Sequence, residues 1–460
     1  MVAECQVISP SLMVQYGITI EGKNQTINFT TSSPLEEYCP MPTAPRHYPP
    51  VTERIMPKVA MIGGGQLARM TAQAAIELGQ TLRVVSPGPT ESAAQITPDV
   101  VVGEHTDIEA IRKAAEGADA VTFDHEHVPQ ELLAELVKEG VNFQPRPEAL
   151  LYAQDKWEMR RRLDEMGAPV PPYARLTTDD DVAAFWEQNN GEVIIKTARG
   201  GYDGHGVWAP KILEEAQDIV RKGVTDHDMT MLGEWKVPWV VELSALVARS
   251  PEGQGAAWPV TQSIQKDGIC AVAMAPAPDL PESVAVKAQQ LGLRIAQELG
   301  VTGVLAVELF LLPDHSLLIN ELAMRPHNTG HWTQDGCITS QFEQHLRAVL
   351  DYPLGDVSMR VPFTVMANVL GAPVTPTMTM DERAHHLFAR FPNAKLHMYG
   401  KGERPGRKLG HVNVCGPLDG SISDPAYVAR VKREAELAAH WMSAAEWLDG
   451  WDPHTGQKND

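Results

Sequence analysis

Residues 304–333 read VLAVELFLLPDHSLLINELAMRPHNTGHWT, in which two apolar segments flank a turn and a polar loop follows. The pattern predicts a β-hairpin centred between Asp314 and His315. That register places Glu308 directly opposite Glu321, with the Cβ atoms roughly 5 Å apart, where two like charges destabilise a sheet. A divalent cation would relieve the repulsion, and carboxylate oxygens completed by phosphates describe magnesium bound to a nucleotide. The alternatives are a slipped register, or one Glu paired with a basic residue.

The loop that follows the hairpin, RPHNTGHWT, is too polar and too rich in Gly and Pro for a core segment. It carries Arg325, His327, Asn328, His331 and Trp332 within eight positions. An Arg and an Asn on a loop beside a metal-binding hairpin are suited to hold a second anion.

Upstream, Lys196 ends an apolar strand and is followed by the loop GGYDGHG, residues 200–206. Four glycines in seven residues expose backbone N–H groups that can close over a polyphosphate, and a lysine at a strand end supplies a point charge. A plain flexible turn would also be rich in glycine, but it would not need the lysine. The pattern favours a phosphate site.

Strand and helix patterns alternate from residue 58 onward, beginning with KVAMIG. This βαβ order predicts an α/β unit with a doubly wound parallel sheet and helices over 66–78, 107–116 and 129–139. From about residue 151 the sequence pattern becomes typical of antiparallel strands, which predicts a separate α+β unit. A third region has short strands and a terminal helix over 425–447.

The first turn of the α/β unit has the form G-x-G-x-x-A at Gly63, Gly65 and Ala68. A dinucleotide site also needs an acid at the end of the second strand, and Ser86 stands there instead. An oxidoreductase is therefore disfavoured. Tight packing of helix on strand and a small-phosphate site remain open.

Changes in composition along the chain suggest five segments. The first is polar and rich in turns, so we expect either a disordered extension or an incorrectly assigned start upstream of Met56. The predicted divisions are a 1–56 extension, a 57–150 N-terminal α/β domain, a 151–357 central domain, a 358–450 C-terminal mixed domain and a 451–460 tail.

Overall composition excludes several classes of protein. Charged residues make up 21% and hydrophobic residues 43% of 460 residues, which is ordinary globular usage. The net charge of −20 argues against a nucleic-acid partner. The five cysteines are far apart, without zinc spacing, and no apolar run approaches a membrane span. We expect a cytoplasmic protein with free thiols and no membrane partner.

Two further clusters leave alternatives open. Arg404, Arg407, Lys408 and His411 form a cationic group in an acidic chain, which is either a phosphate site or a solvated surface. The sequence His-Glu-His at 125–127 resembles a metal motif, but no third ligand is in view. A structural role or a substrate contact is the favoured interpretation there.

Four motifs together carry a resemblance to a known family: MIGGGQLARM, KTARGGYDGHG, INELAMRPHNTGHWT and RPGRKLGHVN. The chain resembles the 5-(carboxyamino)imidazole ribonucleotide synthases of the ATP-grasp superfamily over about 57–449. The resemblance implies a pre-ATP-grasp domain, an ATP-grasp domain and a small C-terminal domain. It also implies a ligase that forms a C–N bond in IMP biosynthesis. ATP and bicarbonate give carboxyphosphate, and carbon dioxide is passed to aminoimidazole ribonucleotide (AIR) with release of ADP and phosphate.

The resemblance further implies a set of functional residues. For ATP they are Lys156, Lys196, Gly201, Tyr202, Asp203, Gly204, His205, Gly206, Glu234, Trp235, Lys236, Val237, Glu242, Gln265, Asn320 and Glu321. For AIR they are Gln66, Glu126, Tyr202, Asp203, Arg325, Arg404, Arg407 and Lys408. The implied catalytic residues are Lys196, Tyr202, Asp203, Arg325 and Asn328, and the metal ligands are Glu308 and Glu321. Magnesium, or manganese in its place, is the expected metal, and a homodimer is the expected assembly.

Two positions depart from the family pattern: His205 replaces a longer basic side chain, and Asp124 replaces a common Glu. A formate-using glycinamide ribonucleotide transformylase is an alternative within the fold, but it would lack RPHNTGHWT and RPGRKLGHVN. A non-catalytic nucleotide-binding regulatory module is the alternative from another class. Such a module would tolerate loss of Glu308 and Glu321, and both are present.

Overall fold

A computed structural model describes residues 56–200, 206–266 and 268–452 of the chain. The proposed extension and most of the predicted tail lie outside these residues. Five positions of the glycine-rich loop, Gly201 to His205, lie outside them as well. None of the described helices is both long and apolar enough to cross a membrane.

The N-terminal unit is built on a parallel sheet of four strands in the order β3-β2-β1-β4. Its strands are β1 Lys58–Ile62, β2 Thr81–Ser86, β3 Val100–Val102 and β4 Ala120–Phe123. The helices of this part are α1 Gln66–Glu77, α2 Ile108–Ala115, α3 Gln130–Lys138 and α4 Pro147–Gln154.

Both faces of the parallel sheet are covered, as a doubly wound sheet requires. Val59 and Met61 pack into one core with α1. Ala60 and Ile62, which point to the opposite face, pack into another core with α2 and α3. The predicted doubly wound sheet is confirmed, and the predicted helix over 66–78 differs from α1 by one residue.

A small antiparallel sheet with the order β5-β8-β6-β7 begins the central part. Its strands are β5 Tyr173–Leu176, β6 Val193–Thr197, β7 Val207–Trp208 and β8 Met231–Trp235. Three helices accompany it: α5 Lys156–Glu165, α6 Asp179–Gln188 and α7 Leu213–His227. Apolar residues of α6 and α7 form one core with β6 and β8.

A nine-stranded sheet forms the rest of the molecule, in the order β14-β13-β9-β11-β12-β15-β17-β16 with β10 beside β9. Its first strands are β9 Val241–Arg249, β10 Gly255–Ala257, β11 Thr261–Lys266, β12 Ile269–Ala275, β13 Gly303–Leu311 and β14 Leu317–Ala323. The others are β15 Thr364–Leu370, β16 Lys395–Met398 and β17 Lys408–Cys415. Because β12 pairs with β15, the C-terminal strands continue the central sheet.

Helices cover this large sheet and link it to the N-terminal unit. They are α8 Glu282–Glu298, α9 Thr333–Gly336, α10 Gln341–Val349, α11 Met380–Arg390 and α12 Pro425–Ala444. The helix α10 packs its Phe342 and Leu346 into the same core as α1. On the same helix, His345 lies 2.8 Å from the Thr122 hydroxyl of β4 and accepts the Val304 N–H of β13.

Candidate active site

A cleft of about 1030 Å³ lies where the small sheet, the large sheet and the N-terminal unit meet. The segment from Glu234 to Glu242 connects the two sheets directly and forms part of its wall. The cleft is lined by most residues expected for the site: Gln66, Glu126, Lys156, Lys196, Glu234, Trp235, Lys236, Val237, Glu242, Gln265, Glu308, Asn320, Glu321, Arg325, Asn328 and Lys408. The expected site residues 201–205 are not among the residues that the structure describes. Three other expected site residues do not line the cleft: Gly206, Arg404 and Arg407.

The hairpin of β13 and β14 forms as expected, and Val307 pairs with Leu322 in the predicted register, but the pairing beside the turn is shifted by one residue. Next to the turn, Leu311 pairs with Leu317, so the hairpin is centred on Asp314. A β-bulge then shifts the pairing, and both Asn320 and Glu321 lie opposite Glu308. One-to-one pairing of Glu308 with Glu321 is therefore corrected to a two-against-one arrangement. Bulges re-aim side chains in this way beside active sites.

The ionisation of Glu308 is affected by its burial and by its acidic neighbours. Burial raises the pKa of Glu308 to about 7, and the charges of Glu321 and Glu242 add to this effect. The two groups that contact its carboxylate are neutral: Asn320 Nδ2 donates to Oε2 over 3.4 Å, and His327 Nε2 is 3.4 Å from Oε1. The charge of Lys196 lowers the pKa but does not offset burial. Burial lowers the pKa of His327 to about 3, so this imidazole carries no compensating charge.

A second buried carboxylate, Glu234, has the opposite surroundings. Arg160 Nε contacts its Oε1 at 2.7 Å, and Lys196 Nζ contacts its Oε2 at 2.8 Å. Burial opposes ionisation, but attraction to Arg160 and Lys196 outweighs it and lowers the pKa of Glu234 to about 2. Lys196 Nζ also donates to Asn320 Oδ1 over 3.3 Å, which joins this pair to the hairpin.

Lys156 connects the hairpin to the start of α5. Its Nζ lies 3.3 Å from Glu321 Oε1, and its backbone N–H donates to the carbonyl of Ala198 just after β6. The preceding residue, Asp155, accepts the first free N–H groups of α5 and a 2.7 Å contact from Arg199. Lys156 is thus held between the hairpin of β13 and β14 and the strand that leads into the glycine-rich loop.

The polar loop after β14 reaches the N-terminal unit. Arg325 Nε lies 2.9 Å from Glu126 Oε1, so the expected AIR residues of two units are brought together. Asn328 Nδ2 is buried at the cleft without a hydrogen-bond partner among the described residues. A buried donor without a partner carries a free-energy cost, which a bound anion would remove.

In the G-x-G-x-x-A turn of the N-terminal unit, the backbone N–H groups at the start of α1 bind a carboxylate of the protein itself. Asp124 Oδ2 accepts the Gly65 N–H at 2.6 Å, and Oδ1 accepts the Ala68 N–H at 2.9 Å. A Cβ on Gly65 would lie 2.3 Å from Asp124 Oδ2, so the glycine is required for this approach. Because an internal carboxylate fills the helix N-terminus, close packing is favoured over phosphate binding there.

The expected cationic cluster is divided. Lys408 lines the cleft, whereas Arg404 is exposed on the loop before β17. The prediction for His411 is wrong, because this side chain is fully buried and burial places its pKa well below the usual range. Strand β17 pairs on both edges, with β15 and β16, which encloses His411 against Tyr399.

Sequence reasoning missed three features of the site. Arg160 stands among three consecutive arginines, and only its buried position distinguishes it. The ring of Trp239, between β8 and β9, stacks on that of Phe310 in β13 at the cleft, with centroids 6.0 Å apart. Lys401 donates to Gln66 across the boundary between the N- and C-terminal parts.

His125 and His127 of the His-Glu-His sequence line the cleft. The described residues contain no group of three or more His, Cys, Asp or Glu side chains placed to hold a metal.

Two antiparallel sheets that enclose a lysine- and carboxylate-lined cleft define the ATP-grasp class, and family models agree. An ATP-grasp domain matches residues 161–342, a ribonucleotide synthetase preATP-grasp domain matches 56–154, and a phosphoribosylaminoimidazole carboxylase C-terminal domain matches 364–424. The N5-carboxyaminoimidazole ribonucleotide synthase of Mycobacterium bovis is 57% identical over 414 residues, which cover 90% of this chain and 94% of the relative. The chain belongs to the N5-carboxyaminoimidazole ribonucleotide synthase family.

Solved structures agree with this assignment. The synthase from Aspergillus clavatus complexed with ATP is 30% identical, with a TM-score of 0.72, and the match covers 82% of this chain and 98% of that one. A structure of the Aspergillus clavatus enzyme in complex with ADP and 5-aminoimidazole ribonucleotide is 28% identical, with a TM-score of 0.72. That match covers 83% of this chain and 98% of the other.

Proposed function

We propose that this chain is an ATP-dependent ligase that carboxylates 5-aminoimidazole ribonucleotide in purine biosynthesis. The single observation that carries the proposal is the cleft in which a carboxylate hairpin faces two lysines, with the Arg325 loop beside it. It provides charge for a nucleotide polyphosphate at one end and for a second, smaller anion at the other.

The donor set of the hairpin fits a divalent cation. Glu308 and Glu321 repel each other, and the pKa of Glu308 is raised to about 7 by burial and by that repulsion. The two carboxylates and Asn320 Oδ1, which now accepts from Lys196, are oxygen donors, and further ligands would come from nucleotide phosphates, as magnesium prefers. When bound, magnesium or manganese would neutralise phosphate charge. The protein's part is to hold three oxygen donors and to place Lys196 and Lys156 beside them.

We propose that the nucleotide lies between the two sheets. Val237 and Glu242 border the connection between the sheets, where they would contact adenine and ribose, whereas Glu234 is already paired with Arg160 and Lys196 and would act by orienting Lys196. The stacked rings of Trp239 and Phe310 add a flat apolar surface there. Lys196 would contact the phosphates under the glycine-rich loop, in which Gly201, Tyr202 and Asp203 have proposed roles.

The reaction then needs charge neutralisation and exclusion of water rather than a covalent protein intermediate. A bicarbonate oxygen attacks the γ-phosphorus of ATP, ADP leaves, and carboxyphosphate forms. Carboxyphosphate breaks down to carbon dioxide and phosphate, and the exocyclic amine of AIR attacks carbon dioxide and loses a proton. Arg325 and the unpartnered amide of Asn328 are suited to bind these short-lived anions.

The AIR end is proposed at the junction with the N-terminal unit. Glu126 and Gln66 reach the cleft from that unit, and Lys408 reaches it from β17. Lys408 would attract the phosphate of AIR, with Arg404 and Arg407 as further candidates on the same loop. We also propose a cytoplasmic homodimer, which family resemblance suggests and light scattering of the purified protein would test.

The decisive experiment measures ADP release with Mg-ATP and bicarbonate, with and without AIR. We expect release to rise strongly when both AIR and bicarbonate are present. Formate with glycinamide ribonucleotide serves as the competing substrate pair. If only that pair supports turnover, the assignment of the AIR site is wrong, and if neither pair does, a non-catalytic nucleotide-binding module becomes the better explanation.

A further inference from the structure

Gln341, the first residue of α10, is fully buried and contacts both polar groups of one residue in the polar loop. Its Oε1 accepts the backbone N–H of His327 at 2.8 Å, and its Nε2 donates to the carbonyl oxygen of His327 at 2.8 Å. The same Nε2 lies 2.9 Å from Nδ1 of His331. One side-chain amide therefore binds the loop at two residues four positions apart.

The loop is folded closely around this amide. A Cβ on Gly330 would lie 2.5 Å from Gln341 Oε1, so only glycine allows the approach. The backbone N–H of Gln341 donates to the Thr333 hydroxyl, which itself donates to the carbonyl oxygen of Gly330. Both the side chain and the backbone N–H of Gln341 thus hold the loop conformation. Gln341 itself is not among the residues that line the cleft.

The residues that Gln341 holds are adjacent to those that face the cleft. His327 lies 3.4 Å from Glu308 Oε1, Arg325 contacts Glu126, and Asn328 presents its unpartnered Nδ2. A displacement of the His327 peptide would move Arg325 and Asn328 relative to the metal hairpin. Misplacement of about 1 Å in a catalytic group costs on the order of 100-fold in rate.

We propose that Gln341 is a positioning residue for the anion end of the active site. It fixes the loop so that Arg325 and Asn328 face bicarbonate and carboxyphosphate while His327 stays beside Glu308. The role of these anions rests on the proposed function. The positioning itself rests on the hydrogen bonds of Gln341.

The same helix offers a matched control in Gln344. This side chain is also fully buried, and it makes the same double contact with Gly355: Oε1 accepts the N–H at 2.7 Å and Nε2 donates to the carbonyl oxygen at 2.9 Å. Neither Gln344 nor Gly355 lines the cleft. Replacing either glutamine removes two hydrogen bonds to one backbone residue, but only Gln341 also contacts His331 and holds the active-site loop.

The experiment compares Gln341→Met with Gln344→Met in the full chain by thermal melting and steady-state kinetics. We expect similar falls in melting temperature for the two variants. Gln341→Met should lower kcat by about 100-fold and raise the KM for bicarbonate by about tenfold, with the KM for ATP nearly unchanged. Gln344→Met should change none of these constants more than about threefold. Equal kinetic losses in the two variants would overturn the proposal.

A binding measurement separates this proposal from the proposed function. Calorimetric titration of inorganic phosphate into the protein saturated with Mg-ADP should show binding that Gln341→Met weakens at least about tenfold and Gln344→Met does not. If that difference appears without AIR-dependent turnover, the proposed function fails and the positioning role stands. If the wild-type chain binds no phosphate, or if Gln341→Met binds it equally well, the positioning proposal is wrong. Gln341→Glu, which keeps the shape and the acceptor for His327, replaces Gln341→Met if the latter does not fold, with the same criteria.

Discussion

Two carboxylates in one cleft, Glu234 on β8 and Glu308 on β13, have pKa values that are shifted in opposite directions. Glu234 has Arg160 and Lys196 within 2.8 Å, and its pKa is lowered to about 2 by those two cations in spite of burial. Glu308 has neutral hydrogen-bond partners and two acidic neighbours, and its pKa is raised to about 7. Burial raises the pKa of both groups, but at Glu234 the two cations outweigh it, whereas at Glu308 the acidic neighbours add to it.

The difference in pKa distinguishes a carboxylate that is neutralised by the protein's own cations, Glu234, from one that lies in a proposed ligand site, Glu308. Around Glu234 the charges are balanced by the protein itself, as expected of a buried pair that supports the fold and orients Lys196. At Glu308 the charge of Lys196 does not offset burial and the acidic neighbours, and the proposed cation would supply the missing positive charge. Functional sites are where such imbalance is retained, because the ligand supplies the missing charge.

Glu308→Gln should give the largest effect on activity. We expect ADP release to fall by more than about 1,000-fold, because an oxygen donor of the proposed metal site loses its charge. The melting temperature of the metal-free protein should hold or rise, since a repelled buried carboxylate is removed. Glu298→Gln on the exposed side of α8 is the control and should leave turnover unchanged. Near-native turnover of Glu308→Gln would refute the metal assignment.

Glu234→Gln should act mainly on stability. Breaking a buried ion pair by removal of one partner costs about 3–5 kcal/mol, and here two cations lose their partner. Urea denaturation measures this loss. Glu192→Gln is the matched control, because Glu192 pairs with Lys236 at 2.9 Å on the surface and exposed pairs contribute about 1 kcal/mol or less. Equal losses in the two variants would show that the Glu234 pair does not support the fold.

The sequence predicted the elements that rest on local patterns. The turn between the two apolar segments predicted the hairpin of β13 and β14, and the alternation of strands and helices predicted β1 to within a residue. The bulge was not predictable, because β13 pairs with β9 without interruption and the one-residue shift occurs only against β14, where no turn or proline marks it in the sequence. The proximity of Glu308 and Glu321 survived this shift, since both carboxylates remain beside one another at the bulge.

Residues that act through distant contacts were not predictable. Arg160, Arg161 and Arg162 are indistinguishable in sequence, and only the packing of α5 buries the first beside Glu234. His411 appeared cationic beside Lys408, but the strand that carries it is enclosed on both edges. Gln341 lies 14 positions from His327 and carries no charge that would attract notice.

The pH dependence of stability should have opposite signs for the two carboxylates. Between about pH 4.5 and 7 the folded protein holds the Glu308 proton more tightly than the unfolded chain, so unfolding free energy falls as pH rises, by up to about 3 kcal/mol. For Glu234 the stabilisation is present above about pH 4.5 and is lost as pH falls toward 2. Urea denaturation in EDTA at several pH values tests both trends. Glu308→Gln should remove the fall between pH 4.5 and 7, and an unchanged slope in this variant would contradict the assignment.

The smallest effect concerns the divided cationic cluster at the AIR end. Lys408 lines the cleft and Arg404 does not, although both stand on one segment and were expected to act together. We expect Lys408→Met to raise the KM for AIR by about tenfold, the loss of one charge-assisted contact to phosphate, and Arg404→Met to raise it by less than about threefold. The KM for ATP should be unchanged in both variants, because the residues proposed to bind ATP lie on other strands. Equal effects of the two substitutions would mean that the loop before β17 moves toward the cleft when AIR binds, and that the cluster acts as one site.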